Sequence, residues 1–190
     1  MKGIRNVTVF CSSSDHVGGE FFAAAEELGR AIAGAGWGLV YGGNRPGPMG
    51  RLAEAARAAG TRVIGITPQY FVDDGCCDEL CDELIVTPDI RRRKELMEER
   101  GDAIIVLPGG IGTLEEFFEV LVARTLGISH KPLVLLNVAG YFAPLMAMID
   151  DGVEKKFVRA KTRSLYFVST CVPQAITYLQ SCSQQTPQPI

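Results

Sequence analysis

Apolar residues in this chain fall into two alternating patterns. Short continuous runs occupy 7–10, 38–41, 62–66, 83–86, 103–107, 132–136 and 164–168, and several are rich in Val and Ile. Runs of this length and composition suit strands buried on both faces of a parallel sheet. Between them, apolar positions recur every three or four residues over 21–35, 49–59, 91–100, 113–126, 141–151 and 173–179. That is the period of a helix with one buried face. Gly36 and Gly60 stand where the first two helices should stop, because glycine takes the left-handed conformation of a helix C-terminus at little cost. Alternation from end to end predicts an α/β fold: a doubly wound, Rossmann-like parallel sheet of about seven strands with helices on both faces.

In such sheets ligands sit beyond the carboxyl ends of the strands, where the strand order reverses. Glycine-rich or polar clusters follow three of the expected strands: Cys11-Ser12-Ser13-Ser14, Gly42-Gly43-Asn44-Arg45-Pro46-Gly47, and Pro108 to Thr113. They are expected to converge on one edge of the sheet. The third is the most informative. Gly109, Gly110 and Gly112 let the backbone approach a ligand closely, and the helix start near Thr113 offers unpaired N–H groups and a positive dipole end to a phosphate. Glu115 and Glu116 are expected in the first turn of that helix, where they would repel a phosphate unless they face the sugar. A phosphate cradle beside a carboxylate suits chemistry at the ribose carbon of a nucleotide. The order of glycines fits neither the Gly-x-Gly-x-x-Gly dinucleotide fingerprint nor the Walker Gly-Lys-Ser/Thr ending.

Arg91-Arg92-Arg93-Lys94 opens another expected helix. Four cations there oppose the macrodipole, at about 0.3–1 kcal/mol for each exposed charge. An anionic ligand, or Glu115 and Glu116, would offset that penalty; a solvated basic face is the plainer reading. Successive helical residues point about 100° apart, so at most two of the four can face one site.

Composition narrows the class. The chain has 190 residues, 47% of them hydrophobic, enough for one core. We expect a single domain over 1–180 and a flexible tail over 181–190, where the apolar period stops. A net charge of −3 and an isoelectric point near 5.5 argue against a nucleic-acid partner. No apolar stretch is long enough to span a bilayer and no signal-peptide core is evident, so the expected location is cytoplasmic. Of the six cysteines, Cys76, Cys77 and Cys81 cluster, but without paired Cys-x-x-Cys spacing or a nearby histidine. They are read as reduced thiols, with no metal and no cofactor.

Taken together, Pro108-Gly109-Gly110-Ile111-Gly112-Thr113 followed by Glu116, the Arg93-Lys94 pair, Tyr41-Gly42-Gly43 with Met49-Gly50, and Lys131-Pro132 with Leu135-Leu136-Asn137 resemble the LONELY GUY (LOG) family. These are cytokinin-activating phosphoribohydrolases, often mislabelled lysine decarboxylases. The resemblance runs over roughly residues 4 to 180. It implies hydrolysis of the N-glycosidic bond of a nucleoside 5′-monophosphate, cytokinin-type or AMP-like, to free base and ribose 5-phosphate. It also implies Arg93 and Glu116 as the catalytic pair, with Gly43, Met49, Lys94, Gly109, Gly110, Gly112, Thr113 and Glu115 as substrate-binding positions. A homodimer whose partner helix borders the nucleotide is implied too. Independently, Phe117, Phe118, Val120, Leu121 and Val122 give the helix after Thr113 more apolar surface than one packed face needs.

The chain departs from the family at Asn44, Arg45, Pro46, Val122, Ala123 and Thr125, and at Arg91-Arg92 before the Arg-Lys pair. These departures fall around the base rather than the sugar phosphate. Two alternatives stay open: a non-catalytic carrier like the molybdenum-cofactor carriers of the same fold, and a secondary-metabolism hydrolase acting on an unusual nucleotide.

Overall fold

The structure, a computed structural model, describes residues 3–184. Seven strands form one wholly parallel sheet: β1 (Asn6–Phe10), β2 (Gly38–Tyr41), β3 (Val63–Pro68), β4 (Glu83–Thr87), β5 (Ala103–Val106), β6 (Leu133–Leu136) and β7 (Phe167–Ser169). Seven α-helices connect or follow them: α1 (Gly19–Gly34), α2 (Gly47–Ala58), α3 (Gln69–Asp73), α4 (Ile90–Arg100), α5 (Ile111–Thr125), α6 (Ala143–Glu154) and α7 (Val172–Gln184). Every strand run read from the sequence is found, with β7 shifted toward Ser169 behind a 3-10 turn, Ala160–Ser164. The expected Rossmann-like α/β class is the observed one.

Alternation of side chains along the strands builds two cores. Val7, Val9, Leu39, Tyr41 and Ile105 face α1, α2 and α7, meeting Leu28, Ile32, Leu52 and Leu179. Their neighbours Phe10, Val40, Ile104 and Val106 face α4, α5 and α6, meeting Met97, Phe117, Val120 and Ile149. With both faces covered, the strands must be apolar throughout, which is why they read as continuous runs.

The strand order is β4-β3-β2-β1-β5-β6-β7. The chain steps outward from β1 to β4, then returns through α4 to lay β5 on the other side of β1. The loops leaving β1 and β5 therefore diverge to opposite faces, and a crevice opens between them. A bond from the Ser12 amide to the Pro108 carbonyl, 3.3 Å, ties the two loops at its base.

Three differences from expectation bear on the site and on the end of the chain. Helix α5 starts at Ile111 rather than Thr113, so no acidic residue lies in its first turn. Glu115 and Glu116 sit a turn deeper, and the anticipated repulsion of a phosphate at the helix start is relieved. Helix α3 was not legible, being five residues long. Helix α7 continues through Gln184, so 181–184 is helical rather than a tail; the rest of the expected tail, 185–190, lies outside the described residues. Among the described residues no helix is long and apolar enough to cross a membrane.

Candidate active site

Two helices deliver opposite charges to the crevice. Asp89 caps α4: its carboxylate accepts from the Arg91 and Arg92 amides at 2.8 and 2.9 Å. That negative cap at the positive helix end offsets the cationic run behind it. The rotation of α4 then separates the four cations. Arg91 and Arg92 stay in solvent, with Arg92 paired to Glu95 at 2.6 Å, whereas Arg93 is buried. Helix α5 sorts its carboxylates likewise, burying Glu116 and leaving Glu115 exposed. The Arg93 guanidinium donates to the Glu116 carboxylate, and its Nε reaches the Ile66 carbonyl at 3.3 Å.

Burial raises the Glu116 carboxyl above its ordinary value, against the pull of the adjacent Arg93 charge. Cys11 follows β1 beside this pair. Burial, reinforced by the Glu116 charge, pushes its thiol well up, so it stands as a neutral group and not as a thiolate nucleophile.

Around the pair lies a cleft of about 510 Å³. One wall consists of Ser12, Ser13 and Ser14 from the β1 loop and Gly110, Gly112 and Thr113 from the start of α5. Gly110 is the N-cap of α5 and provides no side-chain cap, so the first amides of the helix are available to an anion. Tyr70, Phe71 and Ile90 also line the cleft, as does Met49, whose amide donates to the Ser12 carbonyl at 3.0 Å.

Of the residues singled out from the sequence, Arg93, Glu116, Gly110, Gly112, Thr113 and Met49 line this cleft. Four others do not. Lys94 binds Glu115 and, at 3.0 Å, Glu119, so this ion cluster joins α4 to α5 outside the cleft. Gly109 borders a smaller neighbouring chamber, where its carbonyl accepts from the Tyr141 hydroxyl at 2.6 Å. Gly43 lies beneath the cleft with φ of +73°, a conformation suited to glycine. Its neighbour Gly42 leaves the space that Arg93 occupies: a Cβ there would collide with the guanidinium and sit 2.9 Å from the Met49 sulfur.

Arg45 turns away to the Gly75 carbonyl at 3.0 Å, Arg124 binds the Lys131 carbonyl, and Val122 is exposed on α5. The departures from the family pattern that suggested an altered base pocket thus lie largely off the cleft; Asn44 lines it. Sequence reasoning missed Tyr70, Phe71 and Ile90. The one available signal was an aromatic pair following a strand end.

A family model described as "Possible lysine decarboxylase" matches residues 49–179. The cytokinin riboside 5′-monophosphate phosphoribohydrolase of Rhodococcoides fascians is 44% identical over 179 residues, covering 93% of this chain and 90% of its own length. This chain belongs to the LONELY GUY family. The enzyme of the same name from Mycobacterium tuberculosis is 42% identical over 158 residues, 83% of this chain and 84% of that one. Among solved structures, the molybdenum cofactor carrier protein of Chlamydomonas reinhardtii superposes with a TM-score of 0.73 at 24% identity, covering 97% of this chain and 100% of the carrier. That likeness concerns the fold. In this chain the glycine turn and the Arg93–Glu116 pair converge on one cleft.

Proposed function

We propose that this LOG-family chain hydrolyses the N-glycosidic bond of a nucleoside 5′-monophosphate, releasing free base and ribose 5-phosphate, with a cytokinin riboside monophosphate or AMP as substrate. The single observation that carries the reading is the buried Arg93–Glu116 pair one helical turn below the uncapped start of α5. A phosphate on the amides of 110–113 positions the ribose over the carboxylate. Cleavage leaves positive charge on the ribose carbon and ring oxygen, and a fixed carboxylate in a desolvated cleft stabilises that charge. Glu116, with its raised affinity for protons, also orients the attacking water and takes its proton. Water adds to C1′, the C1′–N bond electrons leave with the base, and the base acquires a proton from solvent. Arg93 holds the carboxylate in place and assists electrostatically; its very high pKa makes it a poor proton donor. No step requires a metal or a redox cofactor.

The carrier alternative rests on fold likeness to proteins at 24% identity, whereas relatives at 36–44% are named as hydrolases. The test is ribose 5-phosphate release from a panel of nucleosides and their monophosphates. Monophosphates should react far faster, because phosphate binding positions the ribose. Comparable kcat/KM for AMP and adenosine would overturn the cradle.

A homodimer belongs to the same reading, and of the residues first expected to serve it Val122 stays exposed. Phe117, Val120 and Leu121 are consumed by the core. Ile111, Val122, Leu126 and Ile128 are instead 82%, 55%, 67% and 75% exposed. At 100° per residue, Ile111, Val122 and Leu126 share one stripe of α5 that runs back to the mouth of the cleft. A second copy covering that stripe about a two-fold axis would border both nucleotides.

A further inference from the structure

Helix α3 is built without a core-facing side. None of its five residues is buried, and neither Tyr70 nor Phe71 belongs to the apolar layers on either face of the sheet. Tyr70 is 47% exposed. Large aromatic side chains usually bury most of their area in a core, so a helix that spends two of them elsewhere calls for another role. Both line the cleft, and α3 follows β3, which lies two strands from β1 and three from β5 in the sheet, the strands that lead to Ser12–Ser14 and to the start of α5.

The two rings are close but not coplanar, with centroids 4.2 Å apart and planes inclined at 48°. Their backbone is held firmly for so short an element. The Asp74 amide donates to the Tyr70 carbonyl at 3.0 Å, and the Cys76 amide to the Phe71 carbonyl at 3.1 Å. Below them, Ile66 of β3 accepts from Arg93, and β3 runs directly through Pro68 into α3. The aromatic wall and the buried guanidinium therefore rest on the same strand end.

This makes the cleft polarised along its width. Along the sheet order, helix amides and serine hydroxyls follow β5 and β1 and the aromatic surface follows β3, while the Arg93–Glu116 pair links Ile66 of β3 to α5. A nucleotide has the same three parts in the same order: phosphate, ribose and planar base. We propose that Tyr70 and Phe71 are the stacking platform for the base. The proposal rests on the nucleotide reading of the cleft. Stacking scales with contact area, so a bicyclic base should depend on the two rings more than a monocyclic one. Stacking of a base on an aromatic side chain typically changes affinity by about 10- to 100-fold.

The test is calorimetric binding in a Glu116→Gln background, which holds the nucleotide without turnover. AMP, CMP and ribose 5-phosphate are titrated into the parent and into its Tyr70→Ala, Phe71→Ala and Tyr70→Phe derivatives. AMP affinity should fall about 10- to 100-fold in at least one alanine derivative. CMP should lose less, ribose 5-phosphate should stay within twofold, and Tyr70→Phe should bind AMP within threefold of the parent. Equal losses for AMP and CMP, a loss shared by ribose 5-phosphate, or AMP binding within twofold of the parent in both alanine derivatives would each overturn the platform. Turnover is measured separately on the unsubstituted chain. Failure to release ribose 5-phosphate there would sink the hydrolase reading and leave the binding comparison to judge the platform.

Discussion

The Tyr41 hydroxyl donates to the Asp78 carboxylate at 2.9 Å, with both side chains buried, and Arg57 approaches the same oxygen at 3.3 Å. The Asp78 amide in turn donates to the Gly43 carbonyl at 2.7 Å, and Asn44 bridges to Cys77. A strap from the β3–β4 connection is thereby sewn to the loop beneath the cleft. Burial, together with the neighbouring Asp78 charge, drives the Tyr41 hydroxyl far up, so it remains a donor at any working pH. Asp78→Ala should cost about 2–4 kcal/mol, since it leaves a buried hydroxyl unpaired and a guanidinium without its partner. Tyr41→Phe should cost less, because Arg57 still answers the carboxylate. Urea unfolding of both variants checks the order; equal and negligible losses would deny the strap its role.

Gly42 tests whether Arg93 must occupy its present place. An alanine there meets the guanidinium and the Met49 sulfur, and overpacking of this kind costs about 1–3 kcal/mol. Gly42→Ala should therefore fold but lose at least tenfold in kcat as Arg93 is displaced. Kinetics beside a thermal melt distinguishes this from general unfolding. Unchanged kcat in a folded variant would show that the position of Arg93 does not matter.

The pH profile follows from Glu116. Its carboxyl is raised by burial, so the ionised form that catalysis requires is lost, as pH falls, above the ordinary glutamate value of about 4.3. The acid limb of kcat/KM should lie above that value and should vanish with the carboxylate. The linkage sign is opposite for stability. A raised folded-state pKa contributes stability that is fully present below the unfolded value and is lost as pH rises through the folded one. An acid limb at or below the ordinary glutamate range would contradict the assignment.

Val122→Glu or Leu126→Glu should shift the chain toward monomer in light scattering, by placing charge in the middle of the exposed α5 stripe. Activity should fall with dissociation across a dilution series if a second copy completes the site. A fully active monomer would remove the dimer from the account.

Much of this was legible in the residues, for definite reasons. The sheet was readable because burial on both faces forces continuous apolar runs such as Ala103–Val106. The candidate cleft was readable because a glycine turn between a strand and a helix stands next to a pair of carboxylates, a combination suited to a phosphate beside a sugar. What the linear pattern could not resolve was rotation. Arg93 and Lys94, like Glu115 and Glu116, are adjacent in sequence yet separated by about 100° around a helix. Only packing decides that Arg93 and Glu116 turn inward while Lys94 and Glu115 pair outside the cleft. Tyr70 and Phe71 escaped notice because five residues carry no period. Which part of the apolar run on α5 stays outside the core could not be read, because an apolar count does not say which residues the core will take.

The most direct measurement is ribose 5-phosphate release by Glu116→Gln, alongside nucleotide binding by the same variant. The amide keeps the shape of the side chain and can still accept from Arg93, but it carries no charge for the oxocarbenium-like state and takes no proton from water. The account predicts a rate loss of about 10²–10⁴-fold, with 5′-phosphate-dependent binding largely retained. Turnover within threefold of the unsubstituted chain would contradict it.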